Sequence, residues 1–173
     1  MVHYQFETEL VLTAPIDEIF ETVRHVERYH EWWPSVRRSE LVAAGHGSGT
    51  GHHTSHVIRG PLGYRMRFDL KAIELEPPRR ARFLVRGDLI GTATYLLQPS
   101  VEGTLIRFLW NVSTTKRWMA MLGPITRATF LWSHGAVMRE GAKAMAAHLD
   151  GDLLRVDTRV SASSRLKAAG SAL

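Results

Sequence analysis

The 173-residue sequence contains no cysteine. That excludes a disulfide framework, thiol nucleophiles and zinc–thiolate centres. It also lacks any apolar run approaching the roughly 20 residues a membrane-spanning helix needs. The first residues, MVHYQFETELVL, carry Glu7 and Glu9 and show no basic segment leading into an apolar one. The expectation is therefore a cytoplasmic protein without stable membrane insertion. There is no G-x-S-x-G elbow for a serine nucleophile. The most glycine-rich stretch, GHGSGTG at 45–51, has neither the G-x-G-x-x-G spacing nor the Gly-Lys-Ser/Thr of a phosphate-binding loop, and a His/Thr/Val segment follows it instead of a helix. It reads as a tight hairpin that can also serve as a lid.

Charge of one sign is abundant but not concentrated. The net charge is +5 and the isoelectric point about 10.0, yet the longest basic runs are Arg37-Arg38 and Arg79-Arg80. Without a basic helix or an RNA-binding aromatic motif, nucleic acid is not an expected partner. Acidic residues are equally dispersed: Glu7, Glu9 and Asp69 alternate onto polar strand faces, so no pair of carboxylates is placed for acid–base work. His52, His53 and His56 form the only histidine cluster. On a strand, His52 and His56 share a face and His53 points away, with no carboxylate or cysteine adjacent. They are expected to face solvent, with no metal site and no cofactor.

What is present is a succession of short amphipathic segments. Residues 3–12 alternate, with Tyr4, Phe6, Thr8, Leu10 and Leu12 on one side, which reads as a strand. Thr13-Ala14-Pro15 opens a helix with Asp17 and Glu18 in its first turn and a stripe of Ile16, Ile19, Phe20 and Val23. A second short helix, 26–33, ends at Pro34 and carries Tyr29, Trp32 and Trp33. Strands follow at 39–44, at 52–59 and from Tyr64, where Met66, Phe68 and Leu70 alternate with Arg65, Arg67, Asp69 and Lys71. Further strands are expected at 80–86, 92–98 and 104–113, the last with Ile106, Phe108 and Trp110 on one face. Trp118, Met119, Met121 and Leu122 then lead into the longest element.

That element, 124–150, is organised as a helix. Phe130, His134, Val137, Met138, Gly141, Met145 and His148 recur at spacings of three and four. Pro124 suits the first turn and Gly151 the stop. The inner face carries methionines, small residues and a histidine instead of a Leu/Ile stripe, which leaves space beside the helix. Antiparallel strands with helices segregated to one face make an α+β fold. The expectation is a curved seven-stranded sheet wrapped around the long C-terminal helix, with two short helices after the first strand. Residues 1–150 form the single domain and 151–173 a poorly packed tail.

Several local patterns resemble the START-like superfamily, in its polyketide cyclase/dehydrase and lipid-transport branch. They are Thr13-Ala14-Pro15 with Ile19-Phe20, YHEWWP at 29–34, Glu76-Pro77-Pro78-Arg79, GDLIG at 87–91, Gly103-Thr104, and Ser133-His134 with Val137-Met138 and Gly141. The resemblance covers about residues 3–150 and implies a helix-grip fold with a cavity between sheet and helix. It implies no catalytic residue, because no short motif places one here.

The expected ligand site is lined by Trp33, Tyr64, Met66, Phe68, Trp110, Phe130, His134 and Met138. His134, between Phe130 and Met138, is the candidate for general acid–base chemistry or for orienting a ligand's carbonyl or hydroxyl; a hydrogen-bonded core histidine is the alternative. Tyr64 and Tyr95 are the other polar candidates. Such a pocket fits a small hydrophobic ligand (a lipid, an isoprenoid or a polyketide-like molecule) held by a carrier or sensor. A cyclase, aromatase or dehydratase could use the same cavity, and a filled core would instead mark a protein-interaction module.

Overall fold

In this computed structural model residues 3–115 and 123–160 are described, the side chains of 123–127 excepted. The expected segment 118–122 and the end of the tail lie outside the described residues. Strand β1 (His3–Leu12) is followed by helix α1 (Ile16–Arg24), a 3-10 turn (Val26–Arg28) and the short helix α2 (Tyr29–Trp32). Strands β2 (Val36–Ala43), β3 (His53–Arg59), β4 (Arg65–Glu76), β5 (Arg80–Gly87), β6 (Leu89–Ser100) and β7 (Gly103–Thr114) run on in hairpin succession. Helix α3 (Gly123–His148) and strand β8 (Leu153–Val160) close the chain's described part.

The strands form one antiparallel sheet in the order β2-β3-β4-β5-β6-β7-β1-β8. The sheet is curved and unclosed, and α3 lies in its grip. Alternation decides which side chains enter the concave face: Met66, Phe68, Leu70 and Ala72 of β4 are buried while Arg65, Arg67 and Lys71 are exposed. The same rule buries Ile106, Phe108, Trp110 and Val112 of β7. α1 seals one end of this face with Ile19, Phe20 and Val23.

The strand count corrects the expected seven to eight, because residues 153–160 of the expected tail pair antiparallel with β1. Its inner positions include a threonine, Thr158, whose hydroxyl meets that of Thr8 at 2.9 Å. On the other face Arg159 and Arg107 converge on Glu7, at 3.1 and 2.7 Å, and Arg155 reaches Glu9. Glu7 is thereby buried, and the arginines hold its carboxyl below the usual carboxylate range. Its aliphatic residues, Leu153, Leu154, Val156 and Val160, do not alternate strictly with Arg155, Asp157, Thr158 and Arg159, so the edge strand gives little hydrophobic periodicity to read.

The stop of α3 also differs in detail. α3 ends at His148, two residues before the expected Asp150; the left-handed residue is Asp150 (φ 49°), and Gly151 N–H donates to Ala146 O at 2.9 Å. His148, expected on the inner face, is exposed and stacks on Trp32 at 6.0 Å. Ser133, Ala142 and Ala146 are buried along that face together with Phe130, Met138 and Met145.

Candidate functional site

Between the concave sheet and α3 lies a cavity of about 70 Å³. Its floor is Phe68 and Leu70 of β4, Phe83 of β5, Ala93 and Tyr95 of β6, and Phe108 and Trp110 of β7. Tyr29 and Trp33 of the α2 segment close one side, and His134, Val137 and Met138 of α3 form the roof. The floor is continuous aromatic surface: Tyr95 and Phe108 lie 4.5 Å apart, Phe108 and Trp110 5.7 Å, and Phe68 meets Trp110 edge-on at 5.7 Å. No lysine, arginine or carboxylate is among the residues lining it.

Trp33 is set by two contacts with α3. Its indole N–H donates to Val137 O at 3.2 Å, and its ring packs closely against Gly141. A Cβ at position 141 would sit 2.3 Å from Trp33 Cε2, so only glycine lets the indole approach this closely. This is the use of the glycine on the helix's inner face.

Three polar groups reach the cavity, and all are neutral at pH 7. Tyr29 donates its hydroxyl proton to Val23 O at 2.7 Å, and the Tyr95 hydroxyl lies 3.4 Å from that of Tyr29. Burial pushes Tyr95 up to about 12 and Tyr29 well above its ordinary value. His134 is sandwiched between Phe6 at 4.6 Å and Trp110 at 6.4 Å. Its Nε2 is buried without a hydrogen-bond partner, and burial lowers the imidazole to about 3. A neutral, unpaired imidazole nitrogen can accept from a hydroxyl or donate to a carbonyl, according to tautomer. At neutral pH it is a weak base, because a general base works best near the ambient pH.

Of the residues expected from sequence, Trp33, Phe68, Trp110, His134 and Met138 line the cavity. Tyr64, Met66 and Phe130 do not. Tyr64 donates to or accepts from Ser133 Oγ at 2.5 Å, Met66 is buried farther along β4, and Phe130 packs on Tyr4 at 4.4 Å. Tyr29, Leu70, Phe83, Ala93, Phe108 and Val137 are lining residues absent from the expected set. Phe108 and Leu70 were findable, since each is two positions from an assigned residue on the same strand face.

The three clustered histidines go separate ways. His52 bonds Glu27 at 2.9 Å and His53 bonds Asp69 at 3.2 Å. His56, expected to face solvent, is buried on the concave face between Ser39 Oγ at 3.0 Å and Thr54 Oγ1 at 2.7 Å. Two hydroxyls satisfy both ring nitrogens, so the imidazole is buried neutral and lowered to about 4. Among the described residues no three His, Asp or Glu side chains are grouped to hold a metal ion.

Residues 3–150 match the family model described as polyketide cyclase/dehydrase and lipid transport. No curated protein matches the chain in sequence. Among solved structures the chain is similar to the di-domain ARO/CYC StfQ from the steffimycin biosynthetic pathway, at 14% identity and TM-score 0.68 over 86% of this chain and 52% of that one. It is similar to the di-domain ARO/CYC BexL from the BE-7585A biosynthetic pathway, at 15% identity and TM-score 0.69 over 86% and 50%. A START superfamily protein from Mycobacterium smegmatis aligns at 15% identity and TM-score 0.67 over 84% and 97%. The chain thus spans about half the length of the two di-domain proteins. At these identities the likeness establishes the helix-grip fold alone.

Proposed function

The chain belongs to the polyketide cyclase/dehydrase and lipid-transport family of the START-like superfamily, and from that premise we propose that it binds a small hydrophobic ligand as a carrier or sensor, between the sheet and α3. The observation that carries this reading is the uncharged aromatic cavity, with His134, whose Nε2 is buried without a partner, among its lining residues. Apolar lining supplies affinity, about 0.8 kcal/mol per buried CH₂. The His134 imidazole supplies orientation where a shift of its ring brings Nε2 to a ligand hydroxyl or carbonyl, satisfying a group that the fold leaves unsatisfied.

Size constrains the ligand. A cavity of about 70 Å³ is well below the roughly 300 Å³ at which pockets for drug-sized molecules begin. Entry of a lipid, isoprenoid or polyketide-like chain therefore requires roof side chains to move. Met138, unbranched and with three rotatable bonds, is suited to that. The cyclase or dehydratase reading uses the same cavity but asks more of it. It needs a group titrating near neutral pH, and His134 near 3 and Tyr95 near 12 are displaced away from it. The binding reading is the one this chemistry favours.

Native mass spectrometry of the purified protein, followed by organic extraction, tests it. A stoichiometric hydrophobic adduct is expected. Absence of an adduct, with no thermal shift across fatty acids, isoprenoids and aromatic polyketides, would sink the reading and favour a filled core serving protein interaction.

A further inference from the structure

A second recess, of about 360 Å³, opens to the surface beside the roof of the cavity. Val137 lines both, so the two adjoin at that residue. The recess is polar. Arg37 at the start of β2 and Arg59 at the end of β3 contribute guanidinium groups, and both side chains are exposed. The two strands are joined here, with Arg59 N–H donating to Ser35 O at 2.9 Å. Arg37 reaches only Pro34 O, at 3.5 Å, and neither arginine has a carboxylate partner among the described residues. Glu140 is the recess's one acidic residue, and its Oε2 is occupied by the backbone N–H of Ser35 at 2.8 Å and by the Ser35 hydroxyl.

We propose that this recess receives the carboxylate end of an amphipathic ligand whose apolar end lies in the aromatic cavity, with Val137 as the partition that moves aside between them. The inference rests on the cavity being a ligand site and adds the ligand's chemical class: a monoanionic organic acid. Two arginines against one glutamate leave a single positive charge in the recess, which a monoanion neutralises and a phosphate dianion overshoots. Arginine's planar fork matches a carboxylate in a bidentate manner.

The test compares decanoate with 1-decanol by calorimetric titration, on the wild-type protein and on the double variant Arg37→Gln/Arg59→Gln. Two partly solvated contacts of this kind give about a tenfold preference for the acid. That preference is expected in the wild type, weakening with added salt. In the double variant it is expected to vanish, with decanol affinity and melting temperature unchanged because both side chains are exposed. Val137→Ala is expected to tighten both ligands. Equal affinities in the wild type, or a preference that survives in the double variant, would overturn the inference and leave the cavity reading standing. Displacement of decanoate by millimolar inorganic phosphate would also overturn it, by marking the recess as a free-anion site. Binding of neither decyl ligand would overturn the inference, while the cavity reading stands or falls with the adduct and the wider panel.

Discussion

His134→Phe separates a histidine kept for binding from one kept for folding. In the native protein Nε2 is buried without a partner, and a buried unsatisfied polar atom costs about 1–3 kcal/mol. Phenylalanine removes that atom and retains the stack between Phe6 at 4.6 Å and Trp110 at 6.4 Å. The larger ring has the adjoining cavity of about 70 Å³ to expand into. The variant is therefore expected to be more stable by about 1–3 kcal/mol in urea unfolding at pH 7 with an unchanged m value. For a chain of this size that raises the melting temperature by roughly 2–4 °C per kcal/mol. The pH dependence adds a second readout. The folded imidazole is lowered to about 3 from an ordinary 6.5. Above 6.5 both states are neutral and the full stability is present; as pH falls through that value the unfolded chain takes up a proton that the native state refuses. Between pH 8 and pH 5 this group alone loses the protein about 2 kcal/mol. His134→Phe should flatten the profile by that amount, leaving the like-signed contribution of His56, which is lowered to about 4. A variant that is destabilised at pH 7, or a profile that keeps its slope, would show that Nε2 is satisfied in solution and refute the reasoning.

Gly141→Ala forces a Cβ to within 2.3 Å of Trp33 Cε2; overpacking of about 1–3 kcal/mol outweighs the roughly 1 kcal/mol gained in helix propensity. Lower urea stability with shifted tryptophan emission is expected, and no change in either would contradict the close packing of indole on helix. Ala93→Val adds volume at a buried β6 position facing the cavity. It should leave stability unchanged or raised by up to about 1 kcal/mol while weakening decanol binding severalfold, and tighter binding would count against the cavity. Glu7→Gln leaves Arg107 and Arg159 without their shared carboxylate. Because both arginines are part-exposed, the loss should be about 1–2 kcal/mol at pH 7. Glu7's folded carboxyl is lowered, so its contribution is present above the ordinary value of 4.5 and disappears as pH falls below it. A difference that persists well below that pH would place the effect elsewhere.

Period-two alternation made the faces of the strands legible in the sequence but not the depth of each side chain along the sheet. Phe68, Leu70 and Met66 all point inward from β4, yet only Phe68 and Leu70 reach the cavity. Phe130 is on the inner face of α3 but one turn before His134, where Tyr4 and Phe6 fill the space. Tyr29 was hidden for another reason: the aromatic weight of 29–33 points to packing against the sheet, and an indole was the ring expected at the cavity, where Tyr29 joins Trp33. His56 depended on hydroxyls 17 positions upstream and 2 positions upstream, at Ser39 and Thr54. The Ser39 contact crosses from β2 and leaves no mark in spacing, whereas Thr54 lies on the same face of the same strand. The Gly141 position was visible as a small residue on the inner face, and its partner Trp33, 108 positions earlier, was not.

The site's two departures from tight packing point the same way. A void of about 70 Å³ costs roughly 1.7 kcal/mol at the usual rate for cavities, and an unsatisfied Nε2 costs about 1–3 kcal/mol more. That is a sizeable share of the 5–15 kcal/mol by which folded domains are stable. Single substitutions at Ala93 or His134 would remove each cost without disturbing the sheet. Both costs arise around one cavity, which His134 helps to line. A filled-core interaction module has no use for either departure. Concentrating them at one wall, beside a recess with spare positive charge, is what a chain shaped by a ligand would show.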